Sequence, residues 1–139
     1  LGAAYEDLGM HKEAMESYRE VIKIKPENAW AHNSLGGAYG NLGMNKEAME
    51  AYKETIKIKP DFAWAHNNLG TVYGKLVLHK EAIEAYKEAL KINPNYAEAY
   101  FNLGVSYIML KDGASAFEQY KKLLELNPEL AEELYNIAF

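Results

Sequence analysis

Histidine, serine, asparagine and tryptophan are the side chains in this sequence whose types and spacing invite a chemical reading. The four histidines are His11, His32, His66 and His79. His32 and His66 stand 34 residues apart, and His11 and His79 stand 68 apart. None has a His-x-x-x-His partner or a carboxylate at ligand spacing, so a fixed interval rather than a metal explains their recurrence. Ser34 and Ser106 lack an organised base, which leaves nucleophilic catalysis without support. There is no cysteine, so disulfides and thiolate metal sites are excluded. Neither a catalytic residue, a cofactor nor a metal is expected.

Amides and indoles are what remain. Ser34, Asn68, Asn102 and Asn136 recur at the same 34-residue interval. A carboxamide carries both a donor and an acceptor, so a row of them pairs with the backbone of an extended peptide whatever its side chains. Asn33 and Asn67 sit beside this row. The competing role is structural, with the amides capping or bridging neighbouring helices. Trp30 and Trp64 are also 34 apart. Each is read either as a binding anchor on an open wall or as a ring packed over the adjacent hairpin.

The elements that must position these residues are set by the interval itself. Leu-Gly recurs at Leu1-Gly2, Leu35-Gly36, Leu69-Gly70 and Leu103-Gly104. Columns of the same period run through Tyr5, Tyr39, Tyr73 and Tyr107, through Ala14, Ala48, Ala82 and Ala116, and through Tyr18, Tyr52, Tyr86 and Tyr120. Pro26, Pro60, Pro94 and Pro128 close the units. Segments 29–62 and 63–96 are identical at 21 of 34 positions, an agreement that makes the repeat the first fact about the fold. Each unit reads as two helices. Ala65, Leu69, Val72, Tyr73 and Leu76 follow the spacing of one buried helical stripe, and Ala82, Ile83, Tyr86, Ala89 and Leu90 that of a second. Gly43 and Asp112-Gly113 punctuate the turns between them. Asn45 and Asp112 are the expected N-caps of the second helices, and Asp61 and Asn95 suit the start of the next hairpin. The prolines end each second helix, because the residue before proline is pushed out of the α region.

These columns resemble the tetratricopeptide repeat over the whole chain. The resemblance implies an all-α, right-handed superhelical solenoid of antiparallel helix pairs. A partial repeat would occupy 1–28, three full repeats 29–62, 63–96 and 97–130, and a partial repeat or truncated capping helix 131–139. Two departures stand out. The aromatic usual at the fourth position of a unit is His32 and His66, and the glycine expected between helices is Val77 in one unit and Lys111 in the next. Such arrays bind peptides or protein surfaces along a concave wall, lined by positions 2, 5, 6, 9, 12 and 13 counted from Ala29, Ala63 and Ala97. These positions fall off the buried stripe. The expected groove residues are therefore Trp30, Asn33, Ser34, Trp64, Asn67, Asn68, Thr71, Lys75, Asn102 and Asn136. Gly37, Gly40 and Gly74 leave room beside them. Lys75 is the one clear lysine on this wall, whereas Glu6, Asp7 and Glu98 add negative charge. The basic cluster with which related arrays grip a C-terminal carboxylate is missing, so a neutral or slightly basic extended segment fits better.

The totals agree with a binding array. Apolar residues make up 49% and charged residues 25% of the 139, a balance suited to a packed core. A net charge of −5 argues against nucleic acid as partner. No apolar run approaches a membrane span. A cysteine-free chain suits the cytoplasm and also fits export. Beginning at Leu1 and stopping inside a repeat, the sequence reads as a piece of a longer protein. Two further readings follow. Leu134, Ile137 and Phe139 do not resemble a polar cap, so end-to-end self-association is expected of a bare array. Alternatively, the array is the substrate-presenting arm of a larger enzyme. The paired charges Glu50 with Lys53, Glu84 with Lys87 and Glu118 with Lys122 read as solvated helix pairs.

Overall fold

A computed structural model describes residues 10–139, and the expectations placed on Leu1-Gly2, Tyr5, Glu6 and Asp7 lie outside them. Among the described residues there are eight helices: α1 (Met10–Ile24), α2 (Ala29–Asn41), α3 (Asn45–Ile58), α4 (Ala63–Lys75), α5 (His79–Ile92), α6 (Ala97–Met109), α7 (Gly113–Leu126) and α8 (Pro128–Ala138). Every helix packs on its sequence neighbours, and α2, α4 and α6 also touch in succession. The result is a solenoid of helical hairpins with α2, α4 and α6 side by side along one wall.

The repeat columns are its joints. Leu35, Tyr39, Ala48, Tyr52, Leu69 and Val72 share one buried cluster, and Ala82, Ile83, Tyr86 and Leu103 form the next. A Cβ placed on Gly36 would stand 2.5 Å from the Tyr52 ring, and one on Gly70 would stand 2.6 Å from the Tyr86 ring. The glycine of these Leu-Gly pairs is required because a tyrosine ring from the second helix occupies the space a Cβ would take on the first.

All three described turns between paired helices close in the same way. Met44 N donates to Tyr39 O at 2.9 Å and Gly43 N to Gly40 O at 3.1 Å, the double bond of a Schellman motif. Leu78 and Val77 repeat it on Tyr73 and Gly74, and Asp112 and Lys111 on Tyr107 and Ile108. This motif needs a left-handed residue, and Gly43 (φ 73°), Val77 (φ 60°) and Lys111 (φ 61°) supply it. The two departures from glycine leave the geometry intact and hold a side chain in a strained well.

Local expectations are met unevenly. Asp112 caps α7, its carboxylate accepting from Ser115 N at 3.1 Å. Asn45 does not cap α3. The helix starts at Asn45, Met44 is the N-cap residue without a side-chain bond, and Asn45 Oδ1 is left buried without a partner. Asp61 and Asn95 likewise yield to Phe62 and Tyr96 as N-cap residues, whereas Asn28 caps α2 by accepting from Ala31 N at 3.0 Å. Glu118 pairs with Lys121 at 2.7 Å instead of Lys122. Glu84 meets Lys87 at 3.9 Å, and Glu50 with Lys53 is not among the ion pairs of the described residues.

The last helix leaves the repeat register. In earlier units proline is followed by a turn, with the next helix beginning at Ala29, Ala63 or Ala97. Here Asn127 caps directly, accepting from Leu130 N at 3.2 Å, and Pro128 becomes the first residue of α8. The helix thus starts three residues ahead of the expected unit boundary at 131. It packs on both α7 and α6, and Leu134 takes the place over Gly104 that a tyrosine fills in the preceding units. Leu134, read from the sequence as part of an apolar open end, is instead fully buried with Leu123 and Ala131.

Candidate functional site

The first helices of the units form the wall, and the repeat carries positions 2, 6, 9 and 13 of each helix onto it. Between α2 and α4, with α1 along one side, lies a groove of about 780 Å³. Trp30, Asn33, Ser34, Trp64, Asn68, Thr71 and Lys75 all line it, together with Gly37, Gly40 and Asn41. These are seven of the ten residues expected on the wall. Asn67, Asn102 and Asn136 do not line it. His11, Glu13, Ser17 and Tyr18 of α1 do, and nothing in the first-helix register pointed to them.

The amides divide into two roles. Asn33 and Asn67, expected off the buried stripe, are buried, Asn67 completely. Each accepts from the next helix: Asn68 Nδ2 donates to Asn33 Oδ1 at 3.3 Å, and Asn102 Nδ2 to Asn67 Oδ1 at 3.2 Å. Asn67 Nδ2 in turn donates to Glu98 Oε1 at 3.4 Å. Position 5 is therefore the acceptor of an inter-repeat bridge and position 6 its donor. A buried carboxamide costs free energy unless paired, and the fully buried Asn67 is accordingly bonded through both its oxygen and its nitrogen. Asn68 and Asn102 spend one amide hydrogen each on the bridge and retain a second N–H and the carbonyl oxygen. Asn136 is exposed on α8, outside the row, because that helix has changed register.

The indoles stay half open. Trp30 is 54% and Trp64 51% exposed. They meet edge to face, with centroids 6.0 Å apart, and Trp30 also meets the buried Phe62 ring at 4.6 Å. Each ring thus packs against neighbouring aromatics at the repeat boundary and still presents surface. Phe62 is the aromatic partner that sequence reasoning missed.

The histidines at position 4 have a structural use. His32 Nε2 lies 2.9 Å from Pro26 O, and His66 Nε2 lies 3.0 Å from Pro60 O. Against a carbonyl, Nε2 must carry the proton. In the following unit Tyr100 OH donates to Pro94 O at 2.9 Å, so the usual aromatic and its histidine replacements hold the same inter-helix turn.

Along the array the wall changes character. Where α2 and α4 present Asn, Gly or Thr, and Gly at positions 5, 9 and 12, α6 presents Phe101, Val105 and Ile108. These three pack against the cluster of Leu123, Ala131 and Leu134, so α8 covers the C-terminal stretch of the wall. Three tyrosine phenols, one of them in the groove's lining, are held protonated. Burial pushes Tyr52 up to about 12. Tyr96 is raised to about 12 by burial first and then by the nearby Glu98 charge. Burial is also the main cause of the rise at Tyr86, opposed by its hydrogen bond to Thr71 and aided by Glu98.

An all-helical stack of hairpins with a concave, aromatic and amide-lined groove defines the class of helical-repeat interaction scaffolds. Similarity to known proteins narrows that class. The family profile described as TPR repeat matches residues 2–43, 41–77 and 79–111, and that described as tetratricopeptide repeat matches 97–130. The chain belongs to the tetratricopeptide repeat family. No curated protein matches it in sequence. Among solved structures, it is similar to the crystal structure of MamA, with 30% identity, a TM-score of 0.84, and coverage of 95% of this chain and 77% of that one. It is also similar to the first TPR of Spaghetti (RPAP3) bound to the HSP90 peptide SRMEEVD, with 26% identity, a TM-score of 0.74, and coverage of 78% and 89%. TTC0263, a thermophilic TPR protein of Thermus thermophilus, shares the fold at 23% identity and a TM-score of 0.82, over 92% of this chain and 73% of that one.

Proposed function

We propose that this array is a non-catalytic scaffold that binds an extended peptide or protein segment in the groove between α2 and α4. The observation that carries the reading is the pair of half-exposed tryptophans beside a glycine-floored groove. Aromatic side chains on an open concave wall are the usual anchors of a binding site. Ser34 and the unspent amide valences of Asn68 serve the ligand backbone in the groove, Thr71 and Lys75 continue its wall, and Asn102 extends the amide row beyond it on α6. Asn33 and Asn67 act behind them by fixing where Asn68 and Asn102 point. A peptide bound to the RPAP3 domain lends support for this class of ligand on this fold. The acidic character of that peptide does not carry over, because Trp30, Trp64 and Glu98 occupy the second positions of the units here.

The test is a peptide-array screen with the full chain, followed by Trp64→Ala and Asn68→Ala. Trp64→Ala should weaken a selected ligand about 30-fold, the effect of losing one hot spot of about 2 kcal/mol. Binding indifferent to both substitutions would end the groove reading.

A second reading has its own observation. Phe117, Tyr120, Tyr135 and Phe139, from α7 and from α8 and its C-cap, make ring contacts with centroids 5.3–6.1 Å apart. Ile137 and Phe139 are 54% and 61% exposed. Self-association through this surface would appear as a rise in light-scattering mass with concentration, abolished by Phe139→Ser. A constant monomer mass would dispose of it.

A further inference from the structure

Resting on the groove reading, we infer that the segment it binds presents a basic side chain, a guanidinium or ammonium, to Trp64 and Glu98. Glu98 stands on α6 where Trp64 stands on α4 and Trp30 on α2, at position 2 of three successive units. Two aromatic rings and a carboxylate therefore run in sequence along one edge of the wall. The Glu98 carboxylate reaches back to α4, where Asn67 Nδ2 holds it at 3.4 Å, one helical turn from Trp64.

Among the described residues no cation pairs with Glu98. The ion pairs there are Lys23–Glu20, Lys87–Glu84, Lys91–Glu88 and Lys121–Glu118, and each lies within one helix. The negative charge of Glu98 is felt by Tyr86 and Tyr96, with burial the larger cause in both. The groove's lysine cannot answer it. Lys75 lies at the far end of α4, 11 residues beyond Trp64, about 16 Å away at the helical rise of about 1.5 Å per residue.

Aromatic faces favour a cation for the same electrostatic reason that a carboxylate does, since the ring quadrupole is negative on its face. This cluster already holds one: Lys59 Nζ sits 5.4 Å over the centroid of Phe62, the ring on which Trp30 packs. The exposed faces of Trp30 and Trp64 lack such a cation among the described residues. A planar guanidinium that stacks on Trp64 and bonds the carboxylate uses both features at once. An acidic ligand side chain at this edge meets repulsion instead.

The probe is an acetylated and amidated decapeptide library with its central position fixed as Arg, Lys, Ala or Glu and the others degenerate, captured on the immobilised full chain. The Arg and Lys sets should be retained about fivefold over Ala, and Glu below Ala, with the preference shrinking as salt rises. Glu98→Gln should remove the preference, and Glu98→Lys should reverse it toward the Glu set. Peptides retained through Trp64 but with no charge preference, or a preference untouched by Glu98→Gln, would overturn the inference and leave the groove reading standing. If no set is retained, or if the retained peptides ignore Trp64→Ala, both fall together.

Discussion

Val77→Gly should stabilise this protein although it deletes a side chain. Val77 sits at the left-handed position of a Schellman turn, with φ at 60°, where the first described turn has Gly43 at φ 73°. A β-branched residue there costs roughly 1–2 kcal/mol, because its Cβ crowds the following carbonyl. Two terms oppose the relief. Glycine brings about 0.5–1 kcal/mol of extra chain entropy in the unfolded state. Val77 is 72% exposed, so the burial surrendered is about a quarter of the roughly 1.5 kcal/mol for a fully buried valine, near 0.4 kcal/mol. At their midpoints these terms leave a net gain of about 0.3–0.4 kcal/mol, which the equivalent Lys111→Gly (φ 61°) should add to independently from the next turn. Together they should raise the thermal midpoint by about 2–4 °C. Calorimetry and urea denaturation of the single and double variants would measure it. Gly43→Val is the reciprocal control; its added carbon meets open space, so strain less the unfolded-state entropy leaves a loss of about 0.5–1 kcal/mol. A lower midpoint for Val77→Gly, or an unchanged one for Gly43→Val, would refute the claim that the turn imposes this conformation.

Other outcomes follow from the same packing. Gly70→Ala should cost about 1–3 kcal/mol in urea, since its Cβ would stand 2.6 Å from the Tyr86 ring. Gly74→Ala, with nothing within 4 Å of the added carbon, should instead gain about 0.5–1 kcal/mol of helix propensity. Asn67→Ala should destabilise by about 1–3 kcal/mol, because it strands the donor of Asn102; hydrogen exchange should locate the loss at the α4/α6 contact. Alkaline titration should destabilise the fold. Tyr52 is raised to about 12 in the folded state against about 10 unfolded, so both states keep the proton below pH 10 and only the unfolded chain releases it above. Stability therefore falls between pH 10 and pH 12, by at most about 2–3 kcal/mol from this group. Tyrosinate absorbance and circular dichroism should change together, and Tyr52→Phe should remove that part of the pH dependence.

The period makes the core readable in the sequence itself, since each column is a joint used again in the next unit. Tyr52 over Gly36 and Tyr86 over Gly70 are the same contact twice. What the period could not convey was the sharing of polar atoms across repeats. Asn33 and Asn67 lie one position from the groove residues Ser34 and Asn68, and helical spacing alone puts both near the surface. Only the neighbouring helix, with its own amide arriving at 3.2–3.3 Å, turns position 5 into a buried acceptor. The start of α8 was illegible for a different reason. Asn93-Pro94 and Asn127-Pro128 are the same dipeptide, yet Asn93 bonds Asn95 N in a turn whereas Asn127 caps a helix. Local chemistry permits both, and the packing of Leu134 over Gly104 selects the second.

That selection bears on where a ligand can lie. A tetratricopeptide array without breaks would offer an equivalent wall at each unit, and a ligand would find several registers of similar energy. Here the two tryptophans mark one unit boundary, Glu98 stands in their column at the next, and Phe101, Val105 and Ile108 are taken by the protein's own α8. Among the described residues the open wall runs over α2, α4 and the polar start of α6, flanked by α1, with an aromatic end and a carboxylate end. Such a surface has a direction, which a uniform repeat lacks. The residues that give it direction are those the 34-residue period does not predict: Glu98 in a tryptophan column, three apolar residues in columns of asparagine, glycine and threonine, and a helix that starts early. Filling the covered stretch is also what makes Leu134 informative. Leu134→Ala leaves a cavity against Gly104 worth about 2–5 kcal/mol and loosens α8. Peptides selected by the wild-type groove should still bind through Trp64, while new binders that need Phe101 and Ile108 should appear. Loss of the original ligands in a variant that remains helical would show instead that α8 supports the groove from beneath rather than bounding it.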